Sequence, residues 1–213
     1  MSNRIWVVIA LIYAAFFYWY TPFGGPLSDE EIEESLTVLR EAGMEPARLE
    51  VWEQFMRSDT GDDFAMLNAL DLRDEPIPVE GVEPGDTSLE VMSRYTEPFL
   101  GRALLSAAHP VMYGTAAAPS MDLWGIEGAE RWTAGGLVRY RSRRDLMHQA
   151  LFFSEQDASV LNIHRFKTAA LEKTIAYPLD PWFQLGDPRL VLGLILLIVG
   201  LGWQLRATAR VRR

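Results

Sequence analysis

The densest set of side chains capable of chemistry in this sequence is Arg139, Tyr140, Arg141, Arg143, Arg144 and Asp145. On an extended segment Arg139 and Arg141 share one face while Tyr140 points to the other. Two guanidinium forks on one face can clamp a carboxylate or phosphate bidentately. A competing reading pairs them with the chain's 29 acidic residues at a sheet surface or a subunit interface, and that abundance favours it. His148 lies one helical turn beyond Arg144, and His164 one turn before Lys167 and Thr168, so either could serve as an acid–base group near neutral pH. His109 precedes Pro110 at a strand edge. Three scattered histidines without HxxH or HExxH spacing make a poor metal site, and a structural or surface role suits each of them better. Asn68, on the first expected strand, needs a partner if it faces inward. With no cysteine in the chain, disulfides, zinc–thiolate sites, Fe–S clusters and thiol catalysis are excluded. No GxSxG, Walker or GxGxxG pattern occurs, so serine-triad and nucleotide chemistry have no support and no cofactor is expected.

The elements that must position these residues are framed by two apolar runs. Ile5–Tyr20 carries no charge and, extended through Phe23, approaches the ~20 residues that cross a bilayer. A signal peptide would share its basic start and apolar core. This run ends instead in Phe16, Phe17, Tyr18, Trp19 and Tyr20, which resemble an interfacial belt rather than a cleavage site. Leu190–Leu205 is uncharged, bracketed by Arg189 and Arg206, and carries Trp203 near its far end. Gly193, Gly200 and Gly202 would let another helix approach closely. Neither run contains an ionisable residue, so both read as anchors or packing elements rather than transport pathways. Basic residues at the outer ends place both termini in the cytoplasm. Of the 20 basic residues, 15 lie between the runs with all 29 acidic ones, a net charge of about −14 that repels nucleic acid and anionic lipid. The expected organisation is a transmembrane helix over 1–23, a linker and helical hairpin over 24–60, and an α+β domain over 61–180. A second transmembrane helix over 188–206 and a basic tail over 207–213 complete it. The chain then belongs in a bacterial inner membrane with its central domain in the periplasm.

Within the middle, Ser28 and Glu31 form a capping box before Ile32, Leu36 and Leu39, with Gly43 as the stop. Pro46 suits the first turn of a second helix whose apolar face is Leu49, Trp52, Phe55 and Met56. Phe64–Leu72 reads as a strand. A helix from Thr87 or Ser88 towards Ser106 turns Leu89, Met92, Leu100, Leu104 and Leu105 inward, with Pro98 a kink. Strands follow at His109–Thr115 and Trp132–Tyr140, separated by a loop whose Met121, Leu123, Trp124 and Ile126 are too apolar to lie free in water. A helix starts at Ser142 and runs towards Phe153, another covers about 158–170, and Glu172–Tyr177 is the last strand, ended by Pro178. Strand, helix, strand, strand, helix, strand is the split βαβ order of a ferredoxin-like fold: an antiparallel sheet with helices on one face.

Three blocks carry a resemblance: Phe64-Ala65-Met66-Leu67-Asn68; Gly136 to Asp145, with its V-R-Y-R-S-R-R-D run; and His164 with Lys167 to Thr174. Over about residues 64–178 they resemble a bacterial family of unknown function in the dimeric α+β barrel superfamily, which is ferredoxin-like and EthD-like. The resemblance implies that fold and pairing through sheets, but no reaction, because function belongs to sites rather than folds. The two terminal helices and the hairpin depart from the usual soluble members.

Two functions follow as expectations. The first is a membrane-anchored accessory or structural subunit, with membrane lipid, other membrane subunits or a second copy of itself as partners. The second is a small-molecule or cofactor-free enzyme site, oxygenase- or isomerase-like, in a pocket of the barrel around Arg139, Arg141, Tyr140, His148, His164 and Asn68. A packed interior favours the first, and an apolar cavity with converging polar groups favours the second. Since no catalytic set is recognisable, the accessory role is the leading expectation.

Overall fold

Alternating apolar strands and capped amphipathic helices build the region between the terminal runs. The computed structural model describes residues 2–155, 163–182, 184 and 186–211. In chain order the elements are α1 (Ser2–Tyr20), α2 (Asp29–Glu41), α3 (Pro46–Arg57), β1 (Phe64–Leu72), α4 (Ser88–Leu105) and β2 (His109–Thr115). There follow β3 (Ala134–Tyr140), α5 (Arg143–Glu155), α6 (Ile163–Ala170), β4 (Leu171–Leu179) and α7 (Pro188–Val211). The four strands form one antiparallel sheet in the order β2-β3-β1-β4. Chain order and sheet order together give the split βαβ topology.

The expected capping box forms, with Ser28 Oγ accepting the Glu31 N–H, and at the start of α4 Thr87 is the cap, its Oγ1 accepting the Glu90 N–H in a second box. Ser142 Oγ likewise accepts the Asp145 N–H at 3.0 Å and so starts α5. The last strand departs from expectation. Pro178 lies inside β4, opposite Met66, because an edge strand can leave a position without an N–H. Of the helix expected over about 158–170, the part before residue 163 lies outside the described residues. The inward stripe of α4 also differs. Leu89, Leu104 and Leu105 are exposed, and Val91 and Ala103 are buried instead. Tyr95 and Phe99 fall between these two at four-residue spacing, and their rings stack at 5.6 Å.

The core has three parts. Ile32, Leu36 and Leu39 of the hairpin close on Met56 and on Met147 of α5. Phe64, Tyr140, Ala103 and Leu146 join the sheet to α4 and α5. Val91 meets Ala169 and Ala170 where α4 lies against α6. The arginine block tethers these layers. Arg144 donates to Glu31 on α2 (2.5 Å) and to the Gly25 and Pro26 carbonyls. That bond, with the Ser28 contact, holds the Glu31 carboxyl down at about 2. The tether's contribution is therefore present above the ordinary value of 4.5 and is lost as pH falls towards 2. Glu31→Gln is expected to flatten the acid limb of the stability profile between those values, read by circular dichroism on acid titration.

The terminal helices form a separate unit. They pack antiparallel: Tyr20 of α1 lies under the Arg189 guanidinium, 5.4 Å from its ring centroid, and at the other end Trp6 Nε1 donates to Gln204 Oε1 at 3.2 Å. A Cβ on Gly200 would fall 2.5 Å from the Trp6 ring, and one on Gly193 3.3 Å from Tyr13, whereas Gly202 meets nothing. Gly200 and Gly193 therefore admit the facing helix. Among the described residues one helix is long and apolar enough to cross a membrane, Pro188–Ala209 within α7, while the apolar stretch of α1, Arg4–Tyr20, is shorter.

Candidate functional site

The sheet has two chemically different faces. Phe64, Met66 and Asn68 of β1 lie opposite Tyr140, Val138 and Gly136 on one side, and Met66 and Asn68 lie opposite Pro178 and Ala176 on the other. Directly paired residues share a face, so these make up the side towards the helices. Between that face and α3, α4, α5 and α6 lies a cavity of about 780 Å³. Trp52, Phe55, Met66, Phe99 and Leu146 give it apolar walls, and Asn68, Ala176 and Pro178 floor it. Arg48, Tyr95, Arg143, His164 and Lys167 bring polar atoms to it.

The polar groups are not equivalent. Arg143 is buried and committed. It donates to the Phe55 carbonyl and to Ser58 Oγ (2.7 Å), lies 4.7 Å above the Phe55 ring, and pairs with Asp59 and Asp180. Asn68 donates to the Met66 carbonyl at 3.0 Å, which leaves its side-chain oxygen for a ligand. Tyr95 is packed 5.4 Å from the His164 ring, and burial pushes its hydroxyl up to about 12. Lys167 places its ammonium 5.5 Å from the Tyr95 ring centroid. Burial, and then the nearby Arg48 charge, lowers the Lys167 pKa below its ordinary value. His164, exposed at the mouth, is lowered by desolvation first and then by Lys167 and Arg48. Each cation thus makes its neighbours harder to protonate.

Most residues marked out by the sequence stand elsewhere. Arg139 is 1% exposed, and its fork donates to Asp63 (3.1 and 2.8 Å) and to the Ala107 carbonyl (3.0 Å). Arg141 forms a fork-to-fork pair with Asp145 at 2.7 and 2.6 Å. Tyr140 is buried and stacked on Phe64 at 5.2 Å, and its hydroxyl is pushed up by burial and then by Tyr95. His148 is exposed on α5 and His109 sits on β2, neither of them at the cavity. Of the residues expected around a pocket, Asn68 and His164 line it; Arg143 of the arginine block joins them, with Tyr95, Lys167 and Arg48, which the sequence does not single out. No group of three or more candidate metal ligands occurs among the described residues.

No protein-family model and no curated protein matches the chain. Among solved structures it is similar to the RPA0582 protein in methylated form, with 22% identity, a TM-score of 0.51, and coverage of 65% of this chain and 93% of that one. A second structure of RPA0582, a protein of unknown function from Rhodopseudomonas palustris, matches at 22% identity and a TM-score of 0.47, covering 63% and 94%. A dimeric protein of unknown function and ferredoxin-like fold from Bacteroides fragilis matches at 15% identity and a TM-score of 0.32, covering 56% and 96%. The first of these likenesses supports the α+β fold of the central region and says nothing about a ligand.

Proposed function

We propose that this chain is a membrane-anchored protein whose extracytoplasmic α+β domain binds a small amphipathic molecule between its sheet and its helices. The cavity carries this reading: its 780 Å³ lies within the range that buries a drug-sized ligand, and its walls are mainly apolar with a few polar groups at the mouth. It reverses the order of the two expectations, because an apolar pocket with converging polar groups is the arrangement that favours ligand binding. The test uses the full chain in phosphatidylcholine nanodiscs and titration calorimetry, with empty discs subtracted. Naphthalene-sized probes, neutral 2-naphthamide and anionic 2-naphthoate, are expected to give saturable binding with one site per chain. Ala176→Trp, which fills the floor of the cavity, should abolish it. No saturable binding of either probe would sink the reading.

A specific observation keeps the accessory role in view. On the sheet face away from the helices, Met112, Ile175, Tyr177 and Leu179 are exposed. Met121 and Trp124 of the loop after β2 are 97% and 93% exposed. An uncovered apolar sheet face and such a loop suit a protein partner, and the pairing implied by the dimeric α+β barrel resemblance would use the same face. Mild-detergent extraction followed by native mass measurement is expected to give a dimer or a larger complex of fixed stoichiometry. A lone monomer would remove this second role.

A further inference from the structure

The cavity's mouth carries a charge arrangement at odds with the rest of its domain. The central segment has about twice as many acidic as basic residues, yet among the described residues the cavity's lining includes a single carboxylate, Asp180, against Arg48, Arg143, His164 and Lys167. Asp180 lies 3.5 Å from the Arg143 guanidinium, which also pairs with Asp59. Among the described residues, no carboxylate pairs with Lys167 or Arg48. Holding a half-buried ammonium beside an arginine and an aromatic ring costs free energy unless something supplies the opposite charge. In a chain with 29 acidic residues, a protein-derived counter-ion would have been easy to place there.

We infer that the cavity takes a monoanionic amphipath, with its apolar body among Trp52, Met66 and Phe99 and its carboxylate at Lys167 and Arg48. This deepens the ligand-binding reading above and rests on it. The geometry divides the ligand in two. The inner walls offer hydrocarbon and aromatic rings, while the cations gather on α3 and α6. Lys167 sits deeper than Arg48, half-buried where Arg48 is exposed, so a carboxylate at Lys167 is partly shielded from water and the attraction is stronger there. Asn68, on the floor, can accept a hydrogen bond from a donor further along the ligand.

The same nanodisc titration separates the two levels of the proposal. At pH 7, 2-naphthoate is expected to bind at least tenfold more tightly than 2-naphthamide, its neutral counterpart of similar shape. Lys167→Met should erase that preference, and an unchanged thermal unfolding curve by circular dichroism is the control for folding. Lys167→Arg should restore most of the preference. The naphthoate affinity should also fall with rising pH, before the ordinary lysine range is reached, and the amide affinity should not. The groups facing Lys167 in that titration are Arg48 on α3, Tyr95 on α4, Arg143 on α5, His164 on its own helix, and Asp180. Equal affinities for the two probes, both abolished by Ala176→Trp, would overturn the anionic assignment and leave the cavity as a binding site. A preference that survives Lys167→Met would overturn the role given to Lys167. Absence of saturable binding by either probe would remove the site altogether.

Discussion

Arg139→Ala is expected to destabilise the central domain by about 3–5 kcal/mol, the usual consequence of removing one partner from a buried charged pair. Its guanidinium is among the largest fully buried side chains of the chain, and it makes bonds to two separate segments. It closes on Asp63, just before β1, and on the Ala107 carbonyl, just after α4. Ala107 is itself held at a positive φ of 57°, so the turn that delivers its carbonyl to the arginine is strained. Truncation leaves the Asp63 carboxylate facing an empty space and removes the donor that the carbonyl had. For a domain of this size the loss corresponds to a fall in Tm of on the order of 10 °C. Denaturation of the full chain in mild detergent, followed by circular dichroism, checks it. Arg139→Lys keeps the charge but not the planar fork and should recover only part of the loss. Arg141→Ala is the contrast: its pair with Asp145 is partly exposed and local, four residues apart in the chain, so its loss should cost less than about 1 kcal/mol. If Arg139→Ala cost no more than Arg141→Ala, the buried fork would not be what joins β3 to the segment after α4.

That contrast shows why one arginine block could suggest a binding site in the sequence and act as a set of tethers in the fold. Composition gave the right warning, since 29 carboxylates leave few guanidinium groups without partners. It could not say which carboxylates, because Asp63, Asp59 and Glu31 lie between 76 and 113 residues from their arginines. Helix starts were legible because caps are local signals: the Ser28–Glu31 box for α2, and Thr87 or Ser88 for α4, where Thr87 is the residue that caps. The strand order was legible through alternation and turn residues, and the pairing of β1 with both β3 and β4 followed from the split βαβ pattern.

The cavity was not legible, and the reason is physical. Leucines at positions 89, 104 and 105 look more like core than Tyr95 and Phe99, and hydrophobicity alone ranks them so. The actual stripe, Val91, Tyr95, Phe99 and Ala103, has perfect four-residue spacing but mixes a polar tip and a small residue into it. Aromatic rings carry large apolar area with a polar handle, and they suit a wall that must be apolar without being closed. Lys167 stands in the sequence only as a neighbour of His164. The positioning of α6 against α4, through Ala169, Ala170 and Val91, brings it over Tyr95, and only tertiary packing decides that. The period of α4 was the one available signal.

Single cysteines placed at Ser2, Ala117 and Ala209 are expected to divide sharply in membrane-impermeant maleimide labelling. The natural chain has no cysteine, so no background reaction interferes. Ala117→Cys, in the loop after β2, should react in intact cells with a permeabilised outer membrane. Ser2→Cys and Ala209→Cys should react only after lysis. The basis is the helix pair. The 22-residue apolar stretch of α7 is about 33 Å long, enough for a bilayer core, whereas the 17 residues of α1 reach only about 26 Å. Alone, α1 would be marginal. It runs antiparallel beside α7, however, with Trp6 opposite Gln204 and Tyr20 opposite Arg189, so the two share the same depth from end to end. Arg4 and Arg206 then fall at the same end of the helix pair, the end that the positive-inside rule assigns to the cytoplasm. A short helix can also be tolerated through local thinning of the bilayer and an aromatic belt, which Tyr18, Trp19 and Tyr20 supply. Labelling of Ser2→Cys from outside, with Ala209→Cys still protected, would leave α7 as the sole span and α1 an interfacial helix. Protection of Ala117→Cys would place the whole domain in the cytoplasm, where the cavity would meet metabolites rather than molecules arriving from outside the cell.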